Sequence, residues 1–158
     1  MMKEIRPNER DWLFGDFSIQ GGDHQLAPER ANSGEPWTTW LILGGRGAGK
    51  TRAGAEWVRS VAVATAKARI ALIGETEHEV REVMVEGVSG LLAVHRDDER
   101  PRWLPARRRL VWRNGTVAQI YTAENHEALR GPQFSAAWLD ELAKWRHAEA
   151  TFNMLQFG

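Results

Sequence analysis

The sequence contains no cysteine. Disulfides and zinc–thiolate sites are therefore excluded, and the composition fits a reducing compartment. No apolar run approaches the roughly 20 residues that a membrane-spanning helix needs. The opening residues, Met1-Met2-Lys3-Glu4-Ile5-Arg6, lack the apolar core of a secretory signal. A net charge is missing too, since 21 Lys and Arg balance 21 Asp and Glu. That argues against a uniformly basic nucleic-acid binder but leaves room for a local basic patch. There is no internal repeat and no low-complexity tract, and the five histidines show no metal-ligand spacing. What is present is 158 residues, 42% hydrophobic and 27% charged, enough for one globular domain with a real core.

The stretch that organises the rest is Gly44-Gly45-Arg46-Gly47-Ala48-Gly49-Lys50-Thr51. It fits G-x-x-x-x-G-K-[ST], the phosphate-binding P-loop. An apolar run, Trp40-Leu41-Ile42-Leu43, precedes it and is expected to close a first strand over Thr38–Leu43. A helical pattern follows from about Lys50 to Lys67, with Ala53, Trp57, Val61 and Ala64 on its apolar face. Strand, glycine turn and helix start must come in that order for the loop to cradle phosphate. Glycines let successive N–H groups point inward, and the helix start adds free N–H groups and partial positive charge. Lys50 is expected to reach the β- and γ-phosphates, and the Thr51 hydroxyl to ligate Mg²⁺. The expected nucleotide contacts are Gly44, Gly45, Arg46, Gly47, Ala48, Gly49, Lys50, Thr51 and Arg52.

Residues 1 to about 35 are polar and broken by Pro7, Gly15, Gly21-Gly22, Pro28 and Gly34, which predicts an irregular arm. One helical turn is expected near Arg10–Phe17, where Trp12, Leu13, Phe14 and Phe17 could dock on the core. Gln20 and Gln25 are candidates to read an adenine edge, although a solvated loop glutamine is the plainer reading. Residues 36–158 form the expected domain. Ala68–Gly74 reads as a strand, and Thr76 with Glu79 as a capping box opening a helix to about Val85. Ser89–Pro105 reads as loop. Asn114-Gly115 between Leu110–Arg113 and Thr116–Tyr121 predicts a hairpin with a type I′ turn. Glu124–Leu129 reads as a short helix, Ser135–Leu139 as a buried strand, and Ala148–Phe157 as a closing helix. Strands interleaved with helices predict an α/β, mostly parallel sheet, with its site at the carboxyl ends of the strands, where Leu43 and Leu139 would meet.

An apolar strand ending in Asp140-Glu141, downstream of a P-loop, is the Walker B pattern. Mg²⁺ needs a carboxylate, which Asp140 supplies, and hydrolysis needs a base for the attacking water, placed at Glu141. A guanidinium stabilises the charge of phosphoryl transfer. Arg46, inside the loop, is placed to act in cis; Arg130, beside a Gly-Pro break, to act in trans. Arg96, Arg100, Arg102, Arg107, Arg108, Arg109 and Arg113 make a basic stretch diluted by Asp97, Asp98 and Glu99 and interleaved with Trp103 and Trp112. It reads either as a nucleic-acid or subunit contact or as a solvated face.

Residues 40–58 and 129–141 resemble the Walker A region and the Arg-Gly segment plus Walker B of large terminase subunits, the DNA-packaging ATPases of tailed phages, prophages and gene transfer agents. The resemblance implies a P-loop NTPase fold of the RecA/ASCE kind with an inserted hairpin, cut after Walker B. It implies ATP and Mg²⁺ as cofactors, with Thr51 and Asp140 at the metal, Glu141 catalytic, and Arg46 and Arg130 at the transferred phosphate. It also implies double-stranded DNA, the portal and the small terminase subunit as partners, a homo-oligomeric ring, and work in the host cytoplasm at the capsid portal. The coupling motif and nuclease domain of the family lie beyond this stretch. A nucleotide-binding module without turnover, and another P-loop translocase, helicase or kinase, are the competing readings.

Overall fold

The computed structural model describes Phe17 and residues 21–156. The helical turn expected near Arg10–Phe17, with Trp12, Leu13 and Phe14, lies outside the described residues apart from Phe17, and so does Gln20. Five strands form one sheet: β1 (Arg69–Gly74), β2 (Arg102–Leu104), β3 (Arg109–Val111), β4 (Val117–Thr122) and β5 (Ala136–Leu139), in the order β2-β3-β4-β1-β5. β1 pairs in parallel with β4 and with β5, whereas β2–β3 and β3–β4 are antiparallel. The sheet is therefore mixed rather than mostly parallel. The expected hairpin is not an insertion: its second strand, β4, is the one that joins the two halves of the sheet.

Among the described residues four α-helices flank it: α1 (Lys50–Ala64), α2 (Glu77–Glu79), α3 (Leu91–Val94) and α4 (Ala148–Gln156). α2 opens as foreseen, with the Thr76 hydroxyl accepting from the Glu79 N–H at 3.2 Å, then widens into a π-helical stretch over Val80–Val85. One face of the sheet carries Ile70, Leu72, Leu110, Ala118, Ile120 and Trp138, buried with Ala55, Val58 and Ala62 of α1 and with Val80, Met84, Leu91 and Val94. The other face carries Ala71 and Ile73, packed with Ala123, Leu129 and Trp145 and reached by Met154 and Leu155 of α4.

The structure corrects several expectations. Thr38–Leu43 is not a strand. Among the described residues no strand is hydrogen-bonded to it, and Leu41 and Leu43 are 70% and 82% exposed. α1 stops at Ala64, and Ala64 is exposed. Ala53 is buried and Trp57 and Val61 pack half-buried against the core, as expected, with Ala55, Val58 and Ala62 buried beside them and Gly54 letting the helix approach the Trp138 indole. Ser89–Pro105 contains α3 and β2, since Leu91 and Val94 find core to fill and Trp103 pairs with Leu110. The hairpin turn is not type I′, because only Gly115 of the pair has positive φ (+85°). The Gly115 N–H bonds the Trp112 carbonyl, giving a three-residue loop that ends in a left-handed glycine. Asn114 instead spends its amide on the Ala62 carbonyl (2.7 Å), and the Thr116 hydroxyl bonds the Thr65 carbonyl (2.7 Å). The hairpin thus satisfies carbonyls that the end of α1 leaves free.

His95 is buried beside this hairpin. It accepts from the Trp112 indole N–H at Nε2 (2.9 Å), so its Nδ1 carries the proton and donates to the Leu91 carbonyl (2.6 Å). Burial lowers its pKa. The stability present above the unfolded-state value of about 6.5 is lost as pH falls from there toward the depressed folded-state value. The unfolding free energy from urea titration should fall as pH is lowered below about 6.5, and His95→Gln should flatten that fall.

Candidate nucleotide site

The loop after Leu43 turns through Gly47 (φ +77°) and Gly49 (φ +74°), left-handed positions that glycine occupies without strain. A Cβ placed on Gly45 or on Gly47 would meet nothing within 4 Å, and both positions are exposed, so this part of the loop faces open space. Gly49 is the N-cap of α1, and no side chain caps that end. The first N–H groups of α1 are thus left for an external acceptor, at the positive end of a 15-residue helix. Lys50 curls back and donates from Nζ to the carbonyls of Gly44 (2.8 Å) and Gly45 (2.9 Å). The uncapped start of α1 and the Lys50 ammonium thus share one glycine-rich turn, and both are donors of the kind that bind an anion. Gln25 closes that turn on one side, donating to the Ala48 carbonyl at 3.1 Å while its Oε1 accepts from the Gly22 N–H. A Cβ on Gly49 would collide with that amide. Gln25 is thus half-buried against the loop and not a solvated loop residue.

β5 delivers the second part. The Asp140 N–H continues the ladder by bonding the Ile73 carbonyl (3.0 Å), and the Trp145 indole pins the Asp140 carbonyl (3.1 Å). Burial pushes the Asp140 carboxyl above its ordinary range, the neighbouring Glu141 charge adds to this, and the Lys50 ammonium opposes it. Lys50 and Asp140 thus feel each other across the carboxyl edge of the sheet. Glu141 sits in the left-handed region (φ 53°, ψ 39°), which turns its side chain out of the strand direction. There Lys144 holds it at 3.3 Å and also bonds Glu79 on α2 at 2.9 Å. Both carboxylates raise the Lys144 pKa, Glu79 the more.

The remaining candidates are dispersed. Thr51 is half-buried on the first turn of α1. Arg52 pairs with Glu56 (Nε–Oε1 2.8 Å), and its guanidinium lies over the Phe17 ring at 5.7 Å. Glu56 is buried and also takes Arg59 (3.2 Å), which reaches Glu99 at 2.6 Å. Arg46 and Arg130 are exposed, and their side chains make no hydrogen bond or ion pair among the described residues. Sequence reasoning missed Lys144 and Trp145 altogether. Their spacing after Asp140-Glu141 was the available signal.

A family model described as terminase large subunit, T4likevirus-type, N-terminal, matches residues 41–158. Comparison with curated proteins and with solved structures finds no match. Among the described residues, no helix is long and apolar enough to cross a membrane. The glycine cradle, the Asp140-Glu141 strand end and the length of the match lead to one conclusion: this chain belongs to the large terminase subunit family, in its N-terminal ATPase domain, which implies a role in a DNA-packaging motor.

Proposed function

We propose that the chain binds Mg²⁺-ATP in the 44–52 loop and hydrolyses it to drive double-stranded DNA into a capsid. Residues 36–158 act as the ATPase domain and residues 1–35 as an arm. The observation that supports this most is the uncapped start of α1 at Gly49–Lys50, with the half-buried Asp140 carboxyl within electrostatic reach of Lys50. Lys50 would exchange two loop carbonyls for phosphate oxygens. Thr51 and Asp140 would hold Mg²⁺, which supplies neutralisation of the phosphate charge when bound. Glu141 would accept a proton from the attacking water. Lys144, bridging Glu141 to Glu79, orients that carboxylate. Arg46 serves the phosphates in cis and Arg130 those of a neighbouring subunit in a ring. The portal and the small terminase subunit are its packaging partners, in the host cytoplasm.

Asp140 offers the test. A carboxyl whose pKa is raised must lose its proton to hold a cation. Mg²⁺-ATP affinity should therefore rise as pH rises through the raised Asp140 value, and Asp140→Asn should abolish both this pH dependence and the gain in affinity from Mg²⁺. Titration calorimetry with and without Mg²⁺ reads both. An Asn variant that keeps the full Mg²⁺ effect would remove Asp140 from the metal site.

A further inference from the structure

Burial alternates along β3 and β4, and it separates two kinds of residue. Leu110, Ala118 and Ile120 lie under the helices, while Arg109, Val111, Val117 and Gln119 are half-buried on the opposite face. The register lines up two rows there. One runs Arg102–Val111–Val117–Arg69 across β2, β3, β4 and β1; the next runs Leu104–Arg109–Gln119–Ala71. On this face α4 and its neighbours cover β1 and β5 from Ala71 and Ala137 to their carboxyl ends, so that Ala71 in the second row is fully buried. The outer half is left without a helix among the described residues. No carboxylate occurs in either row.

Among the described residues some arginines are ion-paired and others, on this face and elsewhere (Arg46, Arg107, Arg113, Arg130 and Arg146 among them), are not. Arg52, Arg59, Arg81, Arg96, Arg100 and Arg108 pair with carboxylates. Arg69, Arg102 and Arg109 form no ion pair among the described residues, and Arg109 Nε is buried with no hydrogen-bond partner. Three guanidinium groups thus stand on one sheet face with no ion-pair partner among the described residues, in a chain that is neutral overall. Strands lie about 4.8 Å apart, so the two ends of the first row are roughly 14 Å apart. That spread is close to the roughly 12 Å width of a B-DNA major groove. Guanidinium groups suit phosphate because they offer forked donors.

We infer that this open sheet face, through Arg69, Arg102 and Arg109, binds the phosphate backbone of double-stranded DNA. The inference rests on the motor reading for its partner but not on turnover. It assigns the DNA to a face separate from the nucleotide loop. Contacts of this kind hold the duplex without reading its sequence, as translocation along arbitrary DNA requires.

The test is fluorescence anisotropy of a labelled duplex between about 50 and 200 mM KCl, without nucleotide. Each phosphate contact contributes about 0.9 to the slope of log affinity against log salt. Arg69→Gln/Arg102→Gln/Arg109→Gln should lower that slope by about two to three and weaken low-salt binding at least about tenfold. Arg96→Gln/Arg100→Gln, which removes two paired arginines, should lower it by less than about one. Arg102→Gln alone, on an exposed edge-strand position, should lower it by about one and covers the case of a triple variant that fails to fold. An unchanged slope in the Arg102 and triple variants overturns the inference. So does an equal loss in the paired control, or a triple variant that changes only the sedimentation of the protein, which would mark the face as a subunit contact. A chain that binds Mg²⁺-ATP but no duplex overturns this assignment and leaves the nucleotide reading intact. A chain that binds duplex through these arginines but no ATP does the reverse.

Discussion

Glu141→Gln is expected to cut steady-state ATP turnover by about 10²- to 10⁴-fold, the range for a general base, while Mg²⁺-ATP affinity changes little. Glutamine keeps the size and one acceptor oxygen but takes up no proton. The structure says why the fold should tolerate the change. The backbone at 141 is already left-handed, at a cost of about 1–2 kcal/mol for an L-residue, and glutamine meets the same cost. The side chain is exposed, its Lys144 partner keeps Glu79, and no core contact is involved. A variant that turns over ATP at the parent rate would take Glu141 out of the chemistry. A variant that loses ATP binding as well would assign it to the binding site instead.

Gly54→Val is expected to be the most destabilising single change outside the site. Gly54 is buried on α1, and a Cβ built there lies within 2.7 Å of the Trp138 indole Cζ2, with two more ring atoms closer still. In an exposed helix, replacing glycine stabilises by up to about 1 kcal/mol. Here the contact reverses the sign. Trp138 is itself buried against α1, so neither the ring nor the helix can withdraw without opening the core. Overpacking of this kind costs about 1–3 kcal/mol or more, and valine adds β-branched crowding. Thermal unfolding should show the loss directly. It should also lower ATP affinity, because the displaced element is the helix whose start forms the phosphate cradle. A variant as stable as the parent would mean that α1 does not sit on β5 as described.

The parts of this fold that could be read from the sequence were those with local causes. Thr76 capping, the Asn114-Gly115 turn position, and the strands at 69–74 and 136–139 all followed from short-range chemistry. The parts that escaped were set by tertiary partners. Trp40-Leu41-Ile42-Leu43 has the composition of a buried strand, yet it pairs with no described strand, although β5 ends the sheet with a free edge. Leu91–Val94 lies between glycine and polar residues and reads as loop until the core that it fills is known. The same divide runs through the site. Lys50 and Asp140 were legible from motif spacing, whereas Gln25 on the loop and Lys144 between Glu79 and Glu141 depend on contacts spanning 23 and 65 residues.

The central claim is that the 44–51 loop is a phosphate cradle closed by Lys50. Titration calorimetry of the chain and its Lys50→Ala variant with a non-hydrolysable ATP analogue and Mg²⁺ tests it most directly. The account predicts binding by the parent chain and its loss in the variant, with the same unfolding temperature for both when no nucleotide is present. Equal affinity in the two proteins, or no binding by a folded parent chain, would contradict it.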